Sequence, residues 1–371
     1  MTRRSLCLAL TAIVAPVAST TSGQIARQDL SLVLSPMQAV AASDDRFRYE
    51  GRIDFADLSA PVLIWQASRV ALDWDGDELV VAFGEPKGQN FFDVTIDDQT
   101  SLAEVCAGSA TLGTVFRHLG PGRHRLVLVK RSEAAAGTVP FLGVQLAPGA
   151  KVYAPAAPDY RLRMLFLGDS INAGACAEDG AADQWDTRRT HNGAKSYPSL
   201  TAAALHAGHQ NIAISGVGIV TGYTSIHAAD FWDRLYPEVT SRRADLPAWV
   251  PDLVLVNLGD NDDAFPRGNH QPFPADFESA YLAFIRTIRA TYPHAQLVLL
   301  TGGMFNGTKS DPLLAAWGHA VKELEAQDSA VAHFRFTHWT SNHPRVADHR
   351  ILADELTAWL RTQPFMAKWV K

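Results

Sequence analysis

A chain of 371 residues, 47% hydrophobic and 19% charged, is long enough for two cored domains and carries neither a low-complexity tract nor a fixed-period repeat. Its formal net charge of -6 comes without a basic stripe to neutralise phosphates, which argues against nucleic acid as a partner.

The first residues have the form of an export signal. Arg3 and Arg4 precede an apolar segment, Leu6 to Val17, and the small residues Ala18, Ser19, Thr20, Thr21 and Ser22 follow. Residues 1–23 are therefore expected to be removed, with cleavage between Ser19 and Gly23. The segment is too short to span a bilayer and no later run is long enough, so a soluble secreted or periplasmic protein is expected. The arginine pair reads as an ordinary basic leader, with a twin-arginine leader as the lesser reading, and a buried amino-terminal helix is the alternative. Cys7 would leave with the signal, while Cys106 and Cys176 either pair or sit as buried thiols.

From Arg46 to Lys151 the pattern is one of short strands. Val62 to Trp65, Arg69 to Trp74, Glu78 to Phe83, Asn90 to Ile96 and Arg125 to Val129 are rich in β-branched and aromatic residues. Turn signals separate them at Asp75-Gly76-Asp77, Pro86-Lys87-Gly88, Asp97-Asp98 and Gly120-Pro121-Gly122-Arg123. Strands at such spacing, with no helical pattern between them, predict an antiparallel β-sandwich or jelly roll. The acids of DWDGDE lack the remaining spacing of a calcium loop and read as a hairpin turn.

A proline-rich stretch at Tyr153 to Pro158 marks the junction, which divides the mature chain at 24–157 and 158–371. It is short and stiff, so the two parts are expected to pack together and share the wall of a cleft. Beyond it strands alternate with helices. The strands are Leu162 to Leu167, Asn211 to Ser215, Leu253 to Leu258, Gln296 to Thr301 and Phe334 to Phe336. The helical stretches are Tyr197 to Ala207, Phe231 to Tyr236, Phe277 to Thr291, Pro312 to Gln327 and Ala347 to Thr362. That alternation predicts an α/β domain with a parallel sheet between two helical layers.

Four polar stretches then fall at strand ends or ahead of the last helix: Ser170 in GDSINAG, Gly216 in ISGVG, Asn261 in NLGDND and His343 in SNHPRVADH. A serine hydroxyl is a weak nucleophile at neutral pH and needs an imidazole to take its proton. The oxyanion of acyl transfer needs preorganised donors, which the N-H groups of Ser170 and Gly216 and the Asn261 amide can supply.

These four blocks resemble those of the SGNH, or GDSL-type, hydrolases. The resemblance implies a three-layer α/β/α hydrolase domain with Ser170 as nucleophile, His343 as base, and Ser170, Gly216 and Asn261 around the oxyanion. The preceding all-β part, with GRIDF, Trp65, GQNFFDVTID and LVKRSE, is similar to carbohydrate esterase family 2. That implies deacetylation of polysaccharides such as xylan or glucomannan, with an acetylated polysaccharide or oligosaccharide as partner and no cofactor.

One position departs from the pattern. Where many SGNH hydrolases have an Asp three residues before the His, this chain has Thr340. A backbone carbonyl or Thr340 could orient the ring, or a carboxylate could arrive from elsewhere in the fold. The expectation adopted is a Ser170-His343 dyad with a carbonyl behind the ring, Asp348 lying on the wrong side of His343. Asp169 is expected to fix the nucleophile turn, and Asp260, Asp262 and Asp263 to serve hydrogen bonding on a loop rather than a metal. Trp339 and Trp185 are candidate sugar-stacking residues, Trp339 with core packing as its alternative, and Trp185 and His191 lie in a long insertion expected at the cleft rim. Asn306-Gly307-Thr308 reads as a sequon. Two other functions stay open: a non-catalytic carbohydrate-binding protein, and an esterase for another acetylated glycan or a lipid ester.

Overall fold

The computed structural model describes residues 37–109, 113–304 and 311–369. The expected signal segment, Cys7 and Asn306-Gly307-Thr308 lie outside them. Strands between Gln38 and Tyr153 pair antiparallel throughout and wrap into a nearly barrel-like sheet. Alternation drives it. In strand Arg69–Asp75, Val70, Leu72 and Trp74 face an apolar core, where they meet Leu126 and Leu128 of strand Arg123–Lys130 and Val94 and Ile96 of strand Lys87–Ile96.

The Asp97-Asp98 turn closes a two-residue hairpin onto strand Gln99–Cys106, with Asp97 at a φ of 52°, the left-handed conformation such a turn requires. DWDGDE behaves differently from the hairpin expected of it. The strands it joins, Arg69–Asp75 and Leu79–Phe83, do not pair with each other, so the turn carries the chain between separate parts of the sheet. Cys106 and Cys176 are both buried and no disulfide links them.

The second part is a five-stranded parallel sheet in the order 208–213, 163–168, 253–257, 296–304, 331–340. Strand Arg163–Gly168 shows why a parallel strand reads as a continuous apolar run: Leu165 and Leu167 join the core on one face, Met164 and Phe166 the core on the other. Helices Phe277–Thr291 and Asp311–Gln327 cover the first face, Tyr197–Ala204 and Val346–Thr362 the second. Strand Arg163–Gly168 has a parallel neighbour on each side, reached by connections that leave in opposite directions. Its carboxyl end is thus the switch point where open α/β sheets form a crevice. Ser170 lies there.

The two parts share a core. Ile64, Trp65 and Ala134 of the β part are buried among the apolar side chains of the parallel sheet's first face. Trp65 stacks on Phe231 with ring centres 6.0 Å apart, and its Nε1-H donates to the Leu235 carbonyl at 2.7 Å. Buried Arg52 donates through Nη1 to the carbonyls of Trp232 and Arg234, at 2.7 and 2.9 Å. Trp65→Ala removes a large side chain and strands a buried carbonyl. It is expected to lower unfolding free energy by about 3 to 5 kcal/mol, measured by urea denaturation followed in both parts. Loss confined to the β part, with the parallel sheet unaffected, would contradict a shared core.

Candidate active site

The nucleophile turn is built by close packing. Gly168 ends the strand where a Cβ would lie 2.2 Å from Asn172 Cγ, so only glycine fits. Asp169 caps the short helix Ser170–Ala173, its Oδ1 accepting the Ile171 N-H at 3.0 Å, as its position predicted. Ser170 is buried within the wall of a cavity of about 570 Å³ at this strand end.

Gly216 and Asn261 line the same cavity. Gly216 has a φ of 81°, and the chain beyond it is pinned by Asp262, whose carboxylate accepts the N-H groups of Ile219, Val220 and Thr221 at 2.7 to 3.0 Å. Burial raises the Asp262 carboxyl to about 6, against those three bonds, which favour the carboxylate. Asp260–Gly268 is a helix, not the loop expected, and Asp263 pairs within it with Arg267 at 3.1 Å. Asp262 and Asp263 are therefore engaged by backbone and ion-pair contacts. Asn261 Nδ2 donates to the Val217 carbonyl at 2.8 Å and to Asp169 Oδ2 at 3.1 Å.

His343 also reaches this cavity, and the group behind its ring is a carboxylate. Asp183, in the insertion after the nucleophile turn, places Oδ2 2.6 Å from His343 Nδ1 and 3.2 Å from the His343 N-H. Arg345 Nη1 holds the other oxygen at 2.8 Å. The contact is thus the alternative left open in the sequence, a carboxylate from elsewhere in the fold, rather than the carbonyl or Thr340 favoured there behind the imidazole. Thr340 Oγ1 instead donates to the Asn342 and Gly303 carbonyls, at 2.5 and 3.3 Å. Asp348 accepts the Arg345 N-H and bonds His338 at 2.8 Å, away from His343 as expected.

Burial alone would raise the Asp183 carboxyl, but bonds from His343 and Arg345 outweigh it and hold it well below the ordinary carboxylate range. Its native value being lowered, Asp183 contributes stability that is complete above the unfolded value of about 4 and is lost as pH falls through the lowered one. The acid-side decline of melting temperature below about pH 4 should therefore be shallower in Asp183→Asn than in wild type. Parallel declines would show that Asp183 carries no such linkage.

Trp185, 40% exposed, forms the cavity wall beside the imidazole, edge-on to His343 with ring centres 5.0 Å apart. The Arg188 guanidinium lies over the Trp185 ring, 4.8 Å from its centre. Tyr223, more exposed still, lines the cavity from the Gly216 loop and was not singled out from the sequence. His191 does not form the rim: it is buried behind Trp185, and burial lowers its imidazole to about 4. Trp339 is not among the cavity's lining residues. Along strand Val331–Thr340, exposure alternates, and Trp339 falls with His333, Arg335 and Thr337 on the exposed face of an edge strand.

Residues 166–358 match the GDSL-like Lipase/Acylhydrolase family and residues 49–156 match the Carbohydrate esterase 2 N-terminal family. The chain belongs to the GDSL-like lipase/acylhydrolase family. With the matched amino-terminal region it has the domain pair of the family 2 carbohydrate esterases. Among similar proteins, the cellulase/esterase CelE of Acetivibrio thermocellus is 30% identical over 326 residues, which are 85% of this chain and 39% of CelE. An acetylxylan esterase / glucomannan deacetylase of Cellvibrio japonicus is 26% identical over 338 residues, 89% of this chain and 92% of that protein. The structure of a family two carbohydrate esterase from Clostridium thermocellum, in complex with cellohexaose, superposes with a TM-score of 0.77 at 30% identity, covering 85% of this chain and 98% of that one.

Among the described residues of this GDSL-like acylhydrolase, Cys176, Asp183 and His343 bring potential metal-ligand atoms within 4.8 Å of one another. They make a poor metal site. Both Asp183 oxygens and His343 Nδ1 are already hydrogen-bonded, and burial raises the Cys176 thiol, disfavouring the thiolate a metal would need. No described helix is long and apolar enough to cross a membrane.

Proposed function

We propose that the protein is an exported serine esterase that removes O-acetyl groups from polysaccharides of the xylan or glucomannan type, through a Ser170-His343-Asp183 triad. The contact between Asp183 Oδ2 and His343 Nδ1, at 2.6 Å in the cavity that holds Ser170, carries the reading. It fixes the proton on Nδ1 and leaves Nε2 as the base. Ser170 Oγ attacks the acetyl carbonyl while Nε2 takes its proton, and the imidazolium so formed is stabilised by Asp183. The N-H groups of Ser170 and Gly216 receive the oxyanion. Asn261 joins them by trading its longer bond, to Asp169, for the oxyanion. Nε2-H then protonates the departing sugar oxygen, which leaves as the free hydroxyl, and a water activated by the same nitrogen releases acetate from Ser170.

The polysaccharide assignment is supported by the likeness to the Cellvibrio acetylxylan esterase / glucomannan deacetylase and by the aromatic wall of the cavity. Export is supported by the leader-like sequence of residues 1–23. Trp185→Ala tests the sugar contact. On an acetylated xylo-oligosaccharide kcat/KM should fall about tenfold, near 1.4 kcal/mol, and by clearly less on p-nitrophenyl acetate, which has no sugar ring to stack. Equal losses on both would assign Trp185 to the imidazole alone.

A further inference from the structure

The LVKRSE stretch of the β part ends beneath the catalytic loop, and the reaction described above uses none of it. Lys130, Arg131, Ser132 and Glu133 are all buried. Lys130 Nζ donates to the Ser132 carbonyl at 2.7 Å and to the Glu133 carbonyl at 3.3 Å, folding the segment on itself. The Arg131 carbonyl accepts the Gly193 N-H at 2.8 Å, and the Arg131 guanidinium holds Asp93 and Glu178 across the two parts. These contacts deliver the Glu133 side chain, 2% exposed, to the strand end that precedes Gly216.

There Glu133 Oε2 accepts the Ser215 N-H at 2.8 Å. Its Oε1 lies 3.9 Å from Arg188 Nη1, on the same Arg188 that packs over Trp185. Gln66, also of the β part, grips the strand two residues earlier, its Nε2 donating to the Ala213 carbonyl at 3.0 Å. Gly216 is therefore suspended between two buried carboxylates: Glu133 on the N-H immediately before it, and Asp262 on the N-H groups of residues 219–221. A glycine at positive φ has the widest conformational freedom in the chain, so its N-H direction is set by what holds its neighbours. An oxyanion donor works only if it is aimed before the charge develops.

We infer that Glu133 is a positioning residue for ester hydrolysis, a carboxylate lent by the β domain that aims the Gly216 N-H at the oxyanion. The inference rests on the esterase reading above. A role confined to holding the two parts together would affect stability, whereas a role in aiming the donor affects the transition state selectively.

The test measures kcat and KM on p-nitrophenyl acetate, together with the inhibition constant of an arylboronic acid, whose tetrahedral adduct with a serine places an oxygen in the oxyanion hole. Removing an oxyanion donor outright costs about 10² to 10³ in kcat. Misaiming one should cost less, so Glu133→Ala is expected to lower kcat about thirtyfold and weaken boronate binding by a similar factor, with KM within about twofold. Glu133→Gln keeps an acceptor for the Ser215 N-H and should stay within about threefold of wild type in kcat. Should Glu133→Ala fail to fold, Glu133→Asp, which withdraws the carboxylate by one methylene, is expected to lose kcat about tenfold with its melting temperature retained. Wild-type kcat in Glu133→Ala or Glu133→Asp overturns the inference, as do equal losses in Glu133→Gln and Glu133→Ala that track a fall in melting temperature. A wild-type protein inactive on the ester would instead overturn the esterase reading itself.

Discussion

Ser170→Ala should lose turnover of p-nitrophenyl acetate by about six orders of magnitude in kcat, the scale seen when a serine hydrolase loses its nucleophile, and keep its melting temperature. The size of the loss follows from the covalent route: without Oγ there is no acyl-enzyme, and His343 and the oxyanion donors are left to assist a water placed by chance. Retention of the fold follows from position. Ser170 opens a short helix already capped by Asp169, and a methyl fits where the methylene and hydroxyl stood. Activity at a tenth of wild type would remove Ser170 from the role of nucleophile.

Asp183→Asn should lower kcat/KM by about four orders of magnitude, near 5.4 kcal/mol. The geometry predicts more than the loss of a charge. Arg345 donates to one Asp183 oxygen, so an asparagine there turns its carbonyl to Arg345 and its NH2 to His343. That NH2 donates to Nδ1 and forces the imidazole proton onto Nε2, the nitrogen that must take the proton from Ser170. The base is then in the wrong tautomer. Asp348→Asn and Asp354→Asn, measured alongside, should stay within about tenfold of wild type, a loss no larger than 1.4 kcal/mol, since Asp348 serves the His338 and Arg345 contacts and Asp354 is exposed. If Asp183→Asn also stays within that range, the protein works as the dyad expected from sequence, and the Asp183 contact is only structural.

The sequence disclosed the parts of the site whose chemistry is local. Ser170, Gly216 and Asn261 each follow an apolar strand, and His343 precedes an amphipathic helix, so periodicity alone places them at one edge of a sheet. Helix Phe277–Thr291 emerges with the boundaries expected of it, because its apolar spacing is regular over four turns. Asp183 was invisible by the same logic. It lies 160 residues from His343, in an irregular polar insertion with no periodicity to place it, and a search for the acid next to His343 cannot reach it. The helix at Asp260–Gly268 was hidden by three acids and an internal Pro266, which read as a loop until Gly259, at a φ of 123°, is seen to turn the chain into it.

Trp339 shows the opposite case. Proximity in sequence to the His343 block suggested the cleft, yet the period-two exposure along its strand sends the indole to the outer face, and that alternation was readable from HFRFTHWT. Glu133 belongs to a third kind. Its stretch carried family resemblance without a chemical reason, and only the packing of the β part against strand Gly208–Ala213 supplies one.

The measurement that bears most directly on the whole account is acetate release from acetylated xylan and acetylated glucomannan by the purified chain, with Ser170→Ala as the paired control. The account predicts steady release by the wild-type protein from at least one of the two, and none above background from Ser170→Ala. Wild-type protein that hydrolyses p-nitrophenyl acetate yet leaves both polysaccharides fully acetylated, or release that survives in Ser170→Ala, would contradict it.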